Sequence, residues 1–322
     1  MAVTLAEAED LARSHYRDQQ SIVRRLLALI VRFGGRLDGD ALARSWGVID
    51  EELLAALIAA QEEAAAGGAA YVGEFGGAMA GEVVAAALAG TASDGRDLRT
   101  LMSIPLARAV QRRGDGASAD EAVAQMIRHL LMLAGTQVAD AGRAGAGVAM
   151  VADRAVIGYE RVVRLPACSR CIVLAGRLYS WSAGFQRHPN CDCVHKPVTS
   201  IEEWRRARPE NFPTRIFDRM SADERVRVFG RSGARAIRDG ADIAQVVNAR
   251  RGMQTAGGRV FTTEGTTARG LAGRGLGRLA RVEGSRYRRS TIARIMPEAI
   301  YEAAGEDRDE AIRLLKRFGY IT

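Results

Sequence analysis

Apolar residues in the first half of the chain recur at helical spacing. Ile22, Leu26, Leu29 and Phe33 stand at i, i+4, i+7 and i+11, which puts them on one stripe of a helix that Gly34-Gly35 ends. Upstream, Thr4-Leu-Ala-Glu7 fits a capping box for an opening helix through Tyr16. A further segment, Asp50 to Ala66, carries Leu53, Leu54, Leu57 and Ile58, with Gly67-Gly68 as its stop signal. Ser118-Ala-Asp-Glu121 is a second capping box, followed by a stripe of Val123, Ile127, Leu130, Ala134 and Val138. Helices apolar on one side must cover one another, so the pattern predicts a helical bundle over residues 1–160.

The pattern changes at about Gly158. Arg161 to Leu165, Cys171 to Leu174 and Leu178 to Trp181 are short β-prone pieces, and Ala175-Gly176-Arg177 is a turn that predicts a hairpin between the last two. Helical signals return at Ser200-Ile-Glu-Glu203 and Ser221-Ala-Asp-Glu224, both capping boxes, and continue through Ala234 to Ile237 and Ile243 to Arg250. Pro297 suits the first turn of a helix to about Ala304, and Asp307 to Arg317 is another, stopped by Gly319. Residues 266–290 are rich in Gly and Arg and read as an extended loop or arm. The fold class expected is α+β, mainly α: a bundle, a small knot with a β-hairpin, and a helix-rich basic region, the last two sharing residues 161–322.

A length of 322 residues and 48% hydrophobic content allow two domains with buried cores and exclude disorder throughout. The net charge of +8 is unevenly spread: residues 1–164 sum to −4 and residues 165–322 to +12, so a polyanion is expected to prefer the second half. The strongest apolar run, Leu26 to Val31, is far short of the roughly 20 residues of a membrane span. The acidic amino terminus lacks a secretory pattern, which predicts synthesis in a cytosol.

All four cysteines fall between positions 168 and 193. With one histidine they form C-x2-C-x16-H-x2-C-x-C, that is Cys168, Cys171, His188, Cys191 and Cys193. Two close pairs of soft donors suit a tetrahedral ion, and zinc accepts thiolate and imidazole equally well. Five candidates compete for four places, and His188 either binds the ion with one of Cys191 or Cys193 or supports four thiolates from behind. Either set leaves no place for a reactive water, so the expected zinc is structural. Disulfides are the rival use of these cysteines, and a cytosolic origin argues against them. A redox C-x2-C would open a helix after a strand, whereas Ile172 to Leu174 reads as a strand.

Elsewhere the sequence is plainer. His15 and His129 lie on amphipathic helices as solvated or core-edge residues, and His195 is near the cluster without being counted as a ligand. No G-x-S-x-G elbow and no phosphate-binding loop is present, which predicts neither catalytic residues nor a small-molecule substrate. The arm carries Arg269, Arg274, Arg278, Arg281, Arg286, Arg288 and Arg289 against the single acid Glu283. Such a segment suits salt-sensitive, non-specific contact with the phosphates of double-stranded DNA, and little aromatic character is available for base stacking.

Cys168-x2-Cys171, Leu174-Ala-Gly176-Arg-Leu-Tyr179 and above all His188-Pro-Asn-Cys191-Asp-Cys193 resemble the Mu F-like minor head protein family of tailed bacteriophages. Trp181 to His188, Gly240 to Gly252 and Met296 to Tyr301 are similar to its actinobacteriophage branch, while Asp192 stands where arginine is common. The resemblance implies a minor capsid, head morphogenesis protein present in few copies in the virion. It implies residence at the portal vertex or head interior, and in the host cytoplasm during assembly. The partners it implies are the phage portal protein and scaffold or major capsid protein. Some relatives are described as capsid maturation proteases or toxins, but a plausible catalytic set is not visible here. A zinc-supported nuclease and a cytosolic nucleic-acid-binding regulator are the other readings weighed; the first lacks an Asp-His or Glu-His pair at the knot, and the second requires sequence-dependent binding.

Overall fold

The computed structural model describes residues 3–77, 79–207, 212–256, 259–263, 279–281, 288–290 and 292–321. The chain divides into two units. One comprises Met1–Arg164 with Gly176–Pro209, and the other Leu165–Ala175 with Glu210–Thr322.

The first unit is built on long helices. Helix α1 (Leu5–Gly34) is one continuous helix, not two segments, and Thr4 and Glu7 cap it reciprocally. Helix α2 (Leu42–Trp46) and helix α3 (Asp50–Gly73) follow, then a 3-10 turn (Ala85–Leu88), helix α4 (Leu98–Gly114) and helix α5 (Ala119–Ala152). Ser118 and Glu121 form the expected capping box of α5. Ile22, Leu26, Ile30 and Phe33 of α1 pack with Leu53 and Leu57 of α3, Leu101 and Met102 of α4, and Met126 and Leu130 of α5. Burying a side chain of this kind contributes about 1.5–3 kcal/mol, and this shared core holds the bundle together.

The stop expected at Gly67-Gly68 is not a stop, since α3 runs through both glycines. A Cβ on Gly68 would overlap the Gly142 carbonyl oxygen of α5, and one on Gly145 would overlap the Ala65 carbonyl oxygen of α3. These glycines let two helix backbones touch, and the packing gained outweighs their weak helix propensity.

Beyond α5, strand β1 (Gly158–Val162) is the centre of a three-stranded antiparallel sheet with β2 (Leu178–Ser180) and β3 (Val194–Val198) on its flanks. Tyr71, Val72 and Phe75 of α3 and Ala146, Ala149 and Met150 of α5 join Tyr159, Val162 and Val194 in a second core. Helix α6 (Ser169–Leu174) belongs to the other unit, and helix α7 (Ile201–Ala207) follows β3. The expected hairpin is corrected: Cys171–Leu174 belongs to helix α6 (Ser169–Leu174), and β2 pairs with β1 instead. Cys168 at the N-cap accepts the Cys171 amide on its sulfur, and this local bond prevails over the strand preference of Ile172 and Val173.

The second unit continues with α8 (Pro213–Arg219), α9 (Ala222–Phe229), α10 (Arg231–Arg238) and α11 (Ile243–Ala249). Strands β4 (Met253–Ala256), β5 (Arg259–Thr262) and β8 (Arg294–Ile295) form an antiparallel sheet, followed by α12 (Pro297–Ala304) and α13 (Arg308–Arg317). Within the supposed loop, β6 (Leu279–Arg281) and β7 (Arg288–Ser290) pair antiparallel, with Arg281 opposite Arg288 and Ala280 opposite Arg289. Arg269, Arg274, Arg278 and Arg286 lie outside the described residues.

Arg294 is fully buried. Its guanidinium donates to the carbonyls of Phe318 at 2.9 Å and Gly319 at 3.0 Å, and to Gln245 Oε1 at 3.2 Å, and it lies 3.9 Å over the Tyr320 ring. It thereby closes the C-terminal end of α13, where carbonyls are left without helical partners.

Gly145→Ala is expected to lower stability by about 1–3 kcal/mol, because its methyl meets backbone that cannot move aside. Gly147→Ala, two residues on and facing open space, is expected to be neutral or to stabilise by about 0.5–1 kcal/mol. Urea unfolding of the two variants checks the contrast.

Candidate metal centre

Each half of the cysteine pattern has its own local architecture. Cys168 is exposed at the N-cap of α6 and Cys171 is buried one turn later. In the other half, the Cys191 amide donates to the His188 carbonyl at 3.1 Å, closing a turn in which Asn190 adopts φ 60°. Asparagine tolerates this left-handed backbone better than most side chains. The turn is tied to α5 by the Asn190 amide, which donates to Thr136 Oγ1 at 3.1 Å. His188 Nδ1 lies 2.7 Å from the Pro189 carbonyl oxygen, a contact that suits a proton on Nδ1 and leaves Nε2 for another partner.

All four cysteines stand as thiols. Cys168 and Cys171 belong to one unit, with their sulfurs within 4.8 Å of each other, and Cys191 and Cys193 belong to the other, with theirs equally close. Each unit thus holds one of the two close cysteine pairs in the pattern. The donor set is soft, and Cys171, Cys191 and Cys193 are each at most 3% exposed. Thiol and imidazole donors at this sequence spacing suit a soft or borderline metal ion.

Two arginines that spacing alone did not single out surround the C-x-C half. Arg143 of α5, 8% exposed, donates through Nε to the Cys193 carbonyl at 2.9 Å and through Nη2 to the Cys191 carbonyl. Asp140, one turn earlier, accepts from Arg143 Nη1 at 2.8 Å and from Arg187 Nε at 2.8 Å. Arg161 of β1, 2% exposed, donates to the Gln186 carbonyl at 2.7 Å and to Cys191 Sγ at 3.5 Å, with its guanidinium 4.2 Å over the Phe185 ring. Asp140, Arg143 and Arg187 also border a cavity of about 590 Å³. A signal existed for both arginines. Arg143 is the one charge in the small-residue run Ala141 to Val148, and Arg161 neighbours Glu160 within a strand.

The histidines follow burial. His195 on β3 sits edge-on to Tyr159 and Phe185, and burial first, then the charges of Arg143, His15 and Arg161, lower its pKa to about 3. It is not among the candidate donors. His15 stacks on Tyr71 at 4.1 Å with ring planes 3° apart, and burial lowers its pKa to about 4 against a smaller opposing effect of Asp18. His129 is half-buried beside Arg108, 3.4 Å from its guanidinium, and its pKa is lowered by burial and by that charge. Asp192 points away to accept the Tyr16 hydroxyl at 2.7 Å, and burial raises the pKa of its carboxyl. The side chains of Arg281, Arg288 and Arg289 are outside the described detail, so the arm adds no geometry to the site.

The His15 shift has a direct consequence for acid stability. A histidine held neutral in the fold contributes fully above its unfolded pKa of about 6.5, and the contribution is lost as pH falls toward the folded value. Stability is therefore expected to fall between pH 6.5 and about 4, by roughly 3 kcal/mol from His15 at most. His15→Phe, which keeps a ring against Tyr71, is expected to flatten that slope in thermal unfolding followed over this range.

Comparison with known proteins gives one family. Residues 4–222 match the family model described as VG15 protein. That stretch contains the helical bundle and the complete Cys/His pattern, whereas the strings at residues 240–252 and 296–301 lie beyond it. No curated protein and no solved structure matches the chain.

Proposed function

Because the chain belongs to the VG15 protein family, a phage-associated viral gene family, we propose that it is a structural, non-enzymatic component of a tailed-phage head: a minor capsid protein of the Mu F-like kind that acts in head morphogenesis. The observation that carries this reading is the Cys/His spacing pattern, which lies within the matched stretch. Its soft donor types suit zinc, and Cys171, Cys191 and Cys193 are shielded from solvent. A closed ion of this kind supplies folding energy and leaves no coordination place for a substrate. Cys168, Cys171, His188, Cys191 and Cys193 would provide its ligands, and the chemistry it supplies is cross-linking of loops that have little core of their own.

In this reading the helical unit docks on the portal protein and on scaffold or major capsid protein inside the procapsid. The basic second half contacts packaged double-stranded DNA without sequence preference, aiding packaging or ejection. The charge asymmetry of the chain supports that division of labour. Among the described residues no helix is long and apolar enough to cross a membrane, which is in keeping with a place in the virion.

Elemental analysis of the purified full-length chain is expected to give one zinc per chain with four reactive thiols after chelation, and Cys168→Ser is expected to lower zinc content and thermal stability together. A metal-free protein would refute the structural role of the cluster. For the assembly role, the chain is expected to be retained by portal protein co-expressed with it and to be found in purified virions by mass spectrometry. Absence from virions would refute it. Affinity for two unrelated DNA duplexes is expected to be equal and to fall steeply with salt. Incubation with plasmid and magnesium is expected to leave the DNA intact.

A further inference from the structure

The metal-cluster reading leaves open whether both sulfurs of the C-x-C pair bind the ion or whether His188 replaces one of them. Resting on that reading, we infer that Arg143 and Arg161 are positioning residues of the site, and that they present both Cys191 and Cys193 to the ion.

The backbone carries the first part of the argument. Arg143 grips the carbonyls of Cys191 and Cys193 with two arms of one rigid guanidinium, so these carbonyls face the same side of the segment. Carbonyls of residues i and i+2 face one way when the segment is extended, and the side chains of those residues then share a face while the residue between them faces the other. The flanking contact agrees. Asp192 turns out to the Tyr16 hydroxyl at 2.7 Å, whereas Cys191 and Cys193 are both buried, at 3% and 1% exposure, with their sulfurs within 4.8 Å of each other. Arg143 is itself set by Asp140 at 2.8 Å, one turn away on the same helix, so the grip is part of the rigid bundle.

Arg161 supplies the second part. Its Nη2 donates to the Cys191 sulfur at 3.5 Å, and its plane is fixed by Phe185 at 4.2 Å and by the Gln186 carbonyl at 2.7 Å. A metal-bound thiolate keeps its capacity to accept such a bond, and a buried positive charge offsets the negative charge that each added thiolate brings to the complex. A guanidinium on Cys191 and a backbone clamp across both cysteines favour a thiolate-rich set, in which His188 does not displace either member of the pair.

The test uses full-length protein loaded with cobalt, whose charge-transfer absorption counts bound thiolates, and zinc competition against a chromophoric chelator. Cys191→Ser and Cys193→Ser are each expected to remove an equal share of the cobalt–thiolate band. Arg161→Met and Arg143→Lys are expected to weaken zinc binding by about 10–100-fold. Arg161→Lys, which keeps the charge and loses the fixed fork, is expected to show a smaller loss. If one of the two serine variants leaves the band intact, or if both arginine variants bind zinc as the native chain does, the inference is overturned. Should an arginine variant fail to fold by circular dichroism, the comparison of the two serine variants decides alone. A native chain that binds neither cobalt nor zinc overturns the metal reading itself, an outcome distinct from the others.

Discussion

At Gly68 and Gly145 the backbones of α3 and α5 touch, and that contact determines where the rest of α5 can stand. A helix held so closely on one side has little freedom to rotate, and the residues on its other surfaces inherit that rigidity. Thr136, Asp140 and Arg143 recur along one of those surfaces at i, i+4 and i+7; Thr136 and Arg143 bond the backbone of the turn from His188 to Cys193, and Asp140 holds Arg143 in place. Small residues on α5 thus do two jobs: they admit α3 closely, and they leave room beside a long arginine.

The polar groups that hold the cysteine segment are buried, so their value lies in being satisfied together. Arg143 bridges two carbonyls and a carboxylate, Arg161 bridges a carbonyl and a sulfur, and both guanidiniums lie within 6 Å of the Phe185 ring. Removing one such partner leaves the others desolvated without compensation, a loss larger than one surface ion pair contributes. The segment is anchored by the helical unit through main-chain contacts, which makes its conformation insensitive to most side-chain changes within it. Asp192, in a place where the resembling family commonly has arginine, fits this view because its side chain faces Tyr16 and not the sulfurs.

Much of the helical architecture was legible because its signals are local. Hydroxyl and carboxylate three residues apart marked the starts of α1, α5 and α9, and proline marked that of α12. The cysteine pattern was legible for the same reason, since its spacings are short and local. What escaped depends on distant partners. Gly67-Gly68 carries the local signal of a helix end, and only the approach of α5 gives it another meaning. Ile172 and Val173 favour strands, and a sulfur cap three residues back reverses the outcome. Strand β3 contains His195 and Lys196 yet is buried along its whole length, because Glu9 and Glu160 pair with the lysine and aromatic rings enclose the histidine. Arg294, counted at first as one more positive charge in a basic half, is a core residue.

That last arginine bears on how the second unit is completed during synthesis. Strand β8 leaves the ribosome well before Phe318 and Gly319, whose carbonyls are the acceptors Arg294 requires. Until those residues emerge, a guanidinium destined for the interior must stay in water, and the sheet around it stays open. Closure of this unit therefore waits on α13 and the two residues after it, and not on the order in which its strands are made.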